Sequence, residues 1–267
     1  MVETLTMPCH EYRRVKLANW NLERASTSAR RDALRQYTDK IAADVWVFTE
    51  THRDFTPGLP HSCSSVEGRD GVSKLDTPSD RWVMIWSKHP LEQMMTNDAI
   101  RTAAARIFPI WGMPFLVFGT VLPWGGDKWR SHQSAGGVAF REALALQKSV
   151  WLNLRQKYPD DEFFVMGDFN QDLASTRYYG SQRNRDALVS ALDECGLVSL
   201  TAGNDDPIRR DSASYACIDH ICALRDSRWH PESAMINMRR HDDSPADQGG
   251  SAAVGRLCGG VRRGVRA

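Results

Sequence analysis

Residues 162–170 read Glu-Phe-Phe-Val-Met-Gly-Asp-Phe-Asn, from Glu162 to Asn170. Glu162 to Met166 is a short apolar run that suits a buried strand, too short for a helix. Gly167-Asp168-Phe169-Asn170 then reads as a polar turn, because Gly, Asp and Asn all favour turns. An acid and an amide are thereby set at the end of a strand. The run follows the clearest helix of the chain, about Val138 to Tyr158. There Phe140, Leu144, Trp151, Leu154 and Tyr158 recur at helical spacing and give a wide apolar stripe.

The same alternation extends to both sides. Val15 to Asn21 is the first strand candidate, and the Ser/Thr cluster at Ser26 to Ser28 offers an N-cap for a helix to about Ala43. Leu34, Tyr37 and Ile41 fall on one face of that helix. Val45 to Thr49 predicts a buried strand ending at Glu50, and Arg81 to Trp86 and Phe115 to Leu122 predict two more. A helix near Asn184 to Cys195 stops at Gly196, a good residue for the left-handed turn after a helix. Leu197 to Thr201 and Ala216 to Leu224 are the last strands expected. This mixture predicts an α/β (α+β) architecture: two mixed sheets packed face to face, with helices outside.

The chain has 267 residues and 30.1 kDa, enough for a sizeable core without staples. Hydrophobic residues make up 42% and charged residues 25%, which excludes a disordered, collagen-like or disulfide-scaffold chain. The 34 Lys and Arg nearly cancel the 33 Asp and Glu, so a polyanion site must be a local patch. The six cysteines (Cys9, Cys63, Cys195, Cys217, Cys222, Cys258) form no C-x-x-C pair and fit neither a zinc ribbon nor a disulfide framework. With no long apolar stretch and no signal-peptide core, the expected compartment is the cytoplasm, without membrane association. One domain is expected over 1–250. The tail 251–267, with four Gly, four Arg and no acid, does not read as a closing core element.

Asn21, Glu50, Asp168 and Asn170 all stand where strands end, and Asp219 interrupts the apolar run Ala216-Cys-Ile-Asp-His-Ile-Cys. A carboxylate in such a run is costly unless it is paired, hydrogen-bonded or bound to a cation. Each residue alone has an ordinary explanation, as a strand-end acid, a turn or a loop anchor. Together, acids and amides from several strand ends can converge on one rim, where hard oxygen ligands suit Mg2+ or Mn2+.

In this order, Trp20-Asn21, Thr49-Glu50, Gly167-Asp168-Phe169-Asn170 and Ile218-Asp219-His220-Ile221 resemble the endonuclease/exonuclease/phosphatase superfamily, with its DNase I-like fold. The likeness spans roughly residues 15 to 225, and Arg81 to Leu91 (RWVMIWSKHPL) adds to it. It implies a four-layer sandwich and divalent-metal-dependent cleavage of a phosphate ester at one rim. It further implies that Glu50, with Asn21 and Asp247, holds Mg2+ (or Mn2+). Asp168 would orient or deprotonate the attacking water, Asn170 would hydrogen-bond the phosphate or the nucleophile, and Asp219 would orient a histidine near the C-terminus. His220, beside Asp219, is expected on the opposite face of the strand.

That family closes with Ser-Asp-His, whereas the nearest in-order match here is Ala246-Asp247-Gln248. Gln248 donates a hydrogen bond but cannot carry a proton as imidazolium does. Three readings of this departure stand: His241 substitutes, the activity is weakened or lost, or the C-terminal reading frame has changed. As for substrate, Trp124, Lys128, Trp129, Arg130 and His132 interleave aromatic and basic residues after the Phe115 to Leu122 strand. Trp124, Arg130 and His132 are candidates for stacking bases and contacting phosphate, which makes nucleic acid the favoured phosphate ester. Equally, the tryptophans pack under the loop as a satellite core. Tyr178, Tyr179, Arg183 and Arg185 offer a second such cluster with the same two readings.

Overall fold

The computed structural model describes residues 13–25, 27–66, 79–110, 112–127, 129, 137–173, 178–202, 206, 216–227, 229–237 and 252–259. Arg130, His132, His241 and Asp247 lie outside these residues. Each half of the described chain is built on a pair of parallel strands joined through a helix. In the first, β1 (Arg13–Asn21) runs parallel to β2 (Val45–His52), with α1 (Ser28–Ile41) between them. In the second, β7 (Phe115–Val121) runs parallel to β8 (Glu162–Asp168), with α2 (Val138–Lys157) between them.

Around these pairs the other strands add by antiparallel pairing. They are β3 (His61–Ser64), β4 (Asp80–Ser87), β5 (Leu91–Met94), β6 (Thr102–Ile107), β9 (Leu197–Ser199), β10 (Asp219–Leu224), β11 (Trp229–Asn237) and β12 (Ala252–Gly259). Helix α3 (Gln182–Glu194) precedes β9. One six-stranded sheet has the order β11-β12-β1-β2-β4-β3, the other β5-β6-β7-β8-β10-β9.

Side-chain alternation explains the layers. Val15 and Leu17 of β1, Val45 and Val47 of β2, and Val117, Phe164 and Met166 of the second sheet meet in the core between the sheets. Ala18, Trp20, Trp46 and Phe48 point the other way and pack under Leu34 and Ile41 of α1. Phe118, Phe163 and Val165 likewise pack under Phe140, Leu144, Trp151 and Leu154 of α2 and Leu188 of α3. Each such fully buried side chain contributes about 1.5–3 kcal/mol, so three packed cores hold the four layers. Thr27 caps α1 by accepting from Arg30 N, Ser181 caps α3 by accepting from Asn184 N, and Gly196 (φ +64°) ends α3. The expected two-sheet sandwich with helices outside is the observed fold.

Several boundaries differ from the sequence reading. Strand pairing continues through Gly167 and Asp168, so the polar turn begins only at Phe169. Asp219 does not interrupt a strand but opens one, because residues 216–218 have no ladder partners and β10 begins at the residue opposite Asp168. Strands β3, β5 and β6 carry little β-branched or aromatic character, and they form where neighbouring strands offer free backbone edges. Residues 252–259 form β12, hydrogen-bonded on both sides to β11 and β1. Backbone pairing asks little of side chains, so Gly and Arg do not prevent it.

Candidate active site

Asn21, Glu50, Asp168 and Asn170 come together at one end of the sandwich, where β1, β2 and β8 finish. Asn21 closes β1 and donates from Nδ2 to Glu50 Oε1 (3.3 Å) and to Asp168 Oδ2 (3.0 Å). Its Oδ1 accepts from Glu23 N at 2.9 Å, while its Nδ2 serves both acids. The backbone at residues 23–25 turns left-handed immediately after it, and Arg24 N donates to the Glu50 carbonyl oxygen.

Glu50 and Asn170 share a second feature, a left-handed backbone (φ +47° and +46°) in residues that have a Cβ. Such strain clusters at functional sites and persists only where the surroundings hold it. For Asn170 the surroundings are explicit. Its Nδ2 donates to Leu122 O (2.9 Å) and to Asp168 Oδ2 (3.1 Å), and its N–H donates to Asp168 Oδ1 (2.9 Å). Gly167 sits at φ +143°, against the backbone of Thr120, and a Cβ there would overlap the Thr120 carbonyl. The glycine of the motif therefore lets β8 pass close to β7 and deliver Asp168 to the rim.

Asp168 is buried, and its carboxyl is pushed up to about 7, first by burial and then by the charge of Glu50. Glu50 is also raised, by burial, against the lowering effects of the Asn21 hydrogen bond and of Arg24. Two acids held together out of water cannot both ionise cheaply. A hard dication would reverse both shifts, and carboxylate oxygens are its preferred donors. The donor set thus fits Mg2+ or Mn2+, although among the described residues no group of three or more His, Cys, Asp or Glu side chains is arranged to hold a metal.

Asp219 is buried and faces Asp168 across the β8–β10 ladder. His220 points to the opposite face, as alternation predicts. It is fully buried, with Nε2 3.0 Å from Gln171 O, Nδ1 3.1 Å from Thr201 Oγ1, and its ring edge-on to Phe169. Burial lowers its pKa to about 4, so it is a neutral packing residue.

The aromatic clusters divide. Trp129 is buried in the helix-side core, where the packing reading holds, while Trp124 is half-buried against the core between the sheets. Arg185 is buried in an ion pair with Asp172, whose carboxylate also accepts from the Tyr178 and Tyr179 N–H groups. Tyr179 is half-buried, and its pKa is raised first by that burial and then by the charges of Asp168, Tyr178 and Glu50. The sequence reading missed Asn19, which ties the two sheets beside Asp168, and it also missed Asp172 and Arg101. Only the rarity of a buried polar side chain inside a strand marks Asn19 in advance.

Comparison with known proteins agrees with this geometry. Residues 18–234 match the model of the Endonuclease/Exonuclease/phosphatase family. No curated protein matches the chain. Among solved structures it is similar to an endonuclease/exonuclease/phosphatase from Beutenbergia cavernae DSM 12333, with 15% identity, TM-score 0.62, and 93% of this chain and 72% of that one covered. It is also similar to a mannosyl-6-phosphatase from Bacteroides thetaiotaomicron (17% identity, TM-score 0.59, 91% and 99% covered). A 3′-5′ exonuclease from Neisseria meningitidis gives 16% identity and TM-score 0.59, with 90% and 98% covered. At such identities the structures speak for a shared DNase I-like fold. With the family model matched over most of its length, the chain belongs to the endonuclease/exonuclease/phosphatase family.

Proposed function

We propose that the protein is a divalent-metal-dependent phosphoesterase of the nuclease type, hydrolysing a phosphodiester by in-line attack of water. The observation that carries this reading is the convergence of Asn21, Glu50, Asp168 and Asn170 within hydrogen-bond distance at one rim. Glu50 would hold the ion, which when bound would withdraw charge from the phosphoryl group. Asp168, with its carboxyl near 7, is suited to take the proton of the attacking water at neutral pH. Asn21 fixes the spacing of the two carboxylates. Asn170 is locked by three hydrogen bonds with its amide at the rim, placed to orient nucleophile or phosphate. Little covalent chemistry is needed, so positioning and electrostatics supply most of the acceleration.

In this reading Asp219 orients a C-terminal histidine, for which His241 is the candidate, and Asp247 assists the metal. Trp124, Arg130 and His132 bind substrate, with nucleic acid favoured. Half-exposure of Trp124 near the site supports stacking of a base there. No helix among the described residues is long and apolar enough to cross a membrane, and we place the protein in the cytoplasm.

A second reading rests on Gln248 at the in-order histidine position: a phosphate-binding module that kept the rim and lost turnover. A third, within the enzyme class, is a phosphomonoesterase. The deciding experiment incubates the purified protein and its Asp168→Ala variant with a generic phosphodiester, a phosphomonoester and Mg2+. Diester turnover by the parent alone supports the proposal, and equal signal from both defeats it. Mn2+ binding without turnover favours the module, and faster monoester cleavage the phosphatase.

A further inference from the structure

Arg101 carries a charge into the interior beside the rim, and the mechanism above does not use it. Its side chain is fully buried, as is that of Asp127, and Nη1 of Arg101 lies 2.6 Å from Oδ2 of Asp127. The guanidinium stacks on Trp82, 4.2 Å from the ring centroid, and lies 5.8 Å from the centroid of Trp124. Trp82 is the β4 residue across from Glu50, between the partners Thr49↔Val83 and Thr51↔Arg81. Asp127 in turn organises its own segment. Its N–H donates to Trp124 O (3.0 Å), and its Oδ1 accepts from Trp129 N (3.0 Å). Arg101 itself is held at both backbone ends, by Asp98 Oδ1 on its N–H and by Val121 N on its carbonyl oxygen.

We infer that Arg101 is a positioning residue: through Asp127 and the two indoles it clamps the 124–127 segment against β4, the strand paired with the one that carries Glu50, and so presets Trp124 for substrate binding. This rests on the phosphoesterase reading above for its substrate, though not for the clamp itself. Arginine suits the task because its planar fork can pair with a carboxylate and stack on aromatic faces at once, which lysine cannot do. Its burial and its pairing with Asp127 argue against a direct contact between this guanidinium and substrate phosphate. Preorganised rim groups save the ordering cost otherwise incurred on binding.

The test uses the full chain with Arg101→Lys and Asp127→Asn, in two measurements. Amide exchange over residues 122–129 should lose at least tenfold protection in both variants, while strands β1 and β8 keep theirs. With a short single-stranded DNA oligonucleotide and Mg2+, KM should rise about fivefold to twentyfold in both, with kcat within about twofold. Those sizes correspond to roughly 1–2 kcal/mol of binding. Unchanged exchange in both variants overturns the clamp. Lost protection with unchanged KM overturns its role in binding, and a fall of kcat matching the rise of KM does the same. A lower KM in Asp127→Asn overturns the proposal in favour of direct phosphate contact, since that change frees the cation. If the parent protein turns over no oligonucleotide, the phosphoesterase reading fails. The clamp is then decided by exchange alone.

Discussion

Asn19 spans the space between the two sheets and donates from Nδ2 to the carbonyl oxygen of Gly167, 3.1 Å away. The bond joins β1 of one sheet to β8 of the other, one residue before Asp168. Asn19 is completely buried on the inner face of β1, among aliphatic neighbours. Its amide nitrogen is satisfied there by a backbone oxygen of the facing sheet.

Replacing Asn19 by Leu should therefore cost more than a surface change. The hydrogen bond from β1 to the Gly167 carbonyl is lost, at about 0.5–1.5 kcal/mol, and the position of Asp168 loosens. We expect a lower denaturation midpoint together with a fall in kcat of tenfold or more. Denaturant curves and steady-state kinetics on the same preparation check both. A stable variant with unaltered kcat would remove Asn19 from the positioning of Asp168.

Asp168→Asn separates stability from activity. The native carboxyl is raised to about 7 by burial and by Glu50, so its charge opposes folding at neutral pH. The amide keeps the shape and removes that charge. Without metal the variant should have a higher Tm than the parent at pH 8. Its turnover should fall by about two to four orders of magnitude, the range for loss of a general base. Thermal melts and phosphodiester assays measure the pair of effects, and a lower Tm at pH 8 would contradict the assignment of strain to this acid.

The same pair sets the pH dependence of metal stabilisation. Unfolded, Asp168 loses its proton near its ordinary value of 3.8, whereas folded it keeps it until about 7. Stability from this group is complete at low pH and is lost as pH rises through that window. A dication held by these acids would offset the loss. Mg2+ should raise Tm clearly at pH 8 and hardly at pH 5, and Glu50→Gln should reduce the pH 8 shift. Melting curves with Mg2+ and with a chelator read this without any substrate.

His220 governs the acid side. Its folded pKa of about 4 lies below the ordinary 6.5, because burial disfavours the charged ring. As pH falls from about 6.5 to about 4 the unfolded chain takes up a proton that the folded chain refuses, and stability falls by about 3 kcal/mol. His220→Gln should be less stable at pH 7, through lost packing on Phe169, yet show a flatter acid limb. Denaturant midpoints at pH 7, 5.5 and 4.5 give the comparison. Parallel limbs in parent and variant would assign the acid sensitivity elsewhere.

Much of the site is legible in the chain because its parts are local. Gly167-Asp168-Phe169-Asn170 is marked by a glycine that must take a φ no Cβ tolerates there and by polar groups closing an apolar run. Glu50 and Asn21 are marked by the same stop in alternation. Trp129 illustrates the limit. Next to basic residues it reads equally as a stacking platform or as core, and only the arrival of α2 and its neighbours buries it. Strands β5 and β6 illustrate another. Leu91–Met94 and the Ala-rich Thr102–Ile107 have weak strand character, and they are strands because β7 presents an edge to β6, and β6 in turn one to β5.

The sequence alone determined the periodicity of each element, the residues that end it, and the order of acids and amides that identifies the family. These follow from steric and solvation preferences acting within a few residues. The tertiary structure decided which strand ends share a rim, that Asn19 reaches Gly167, that burial beside Glu50 raises Asp168, and that Arg101 meets Asp127. Each depends on groups far apart in the chain, brought into a low-dielectric space by packing, and no local pattern encodes a distance between sheets.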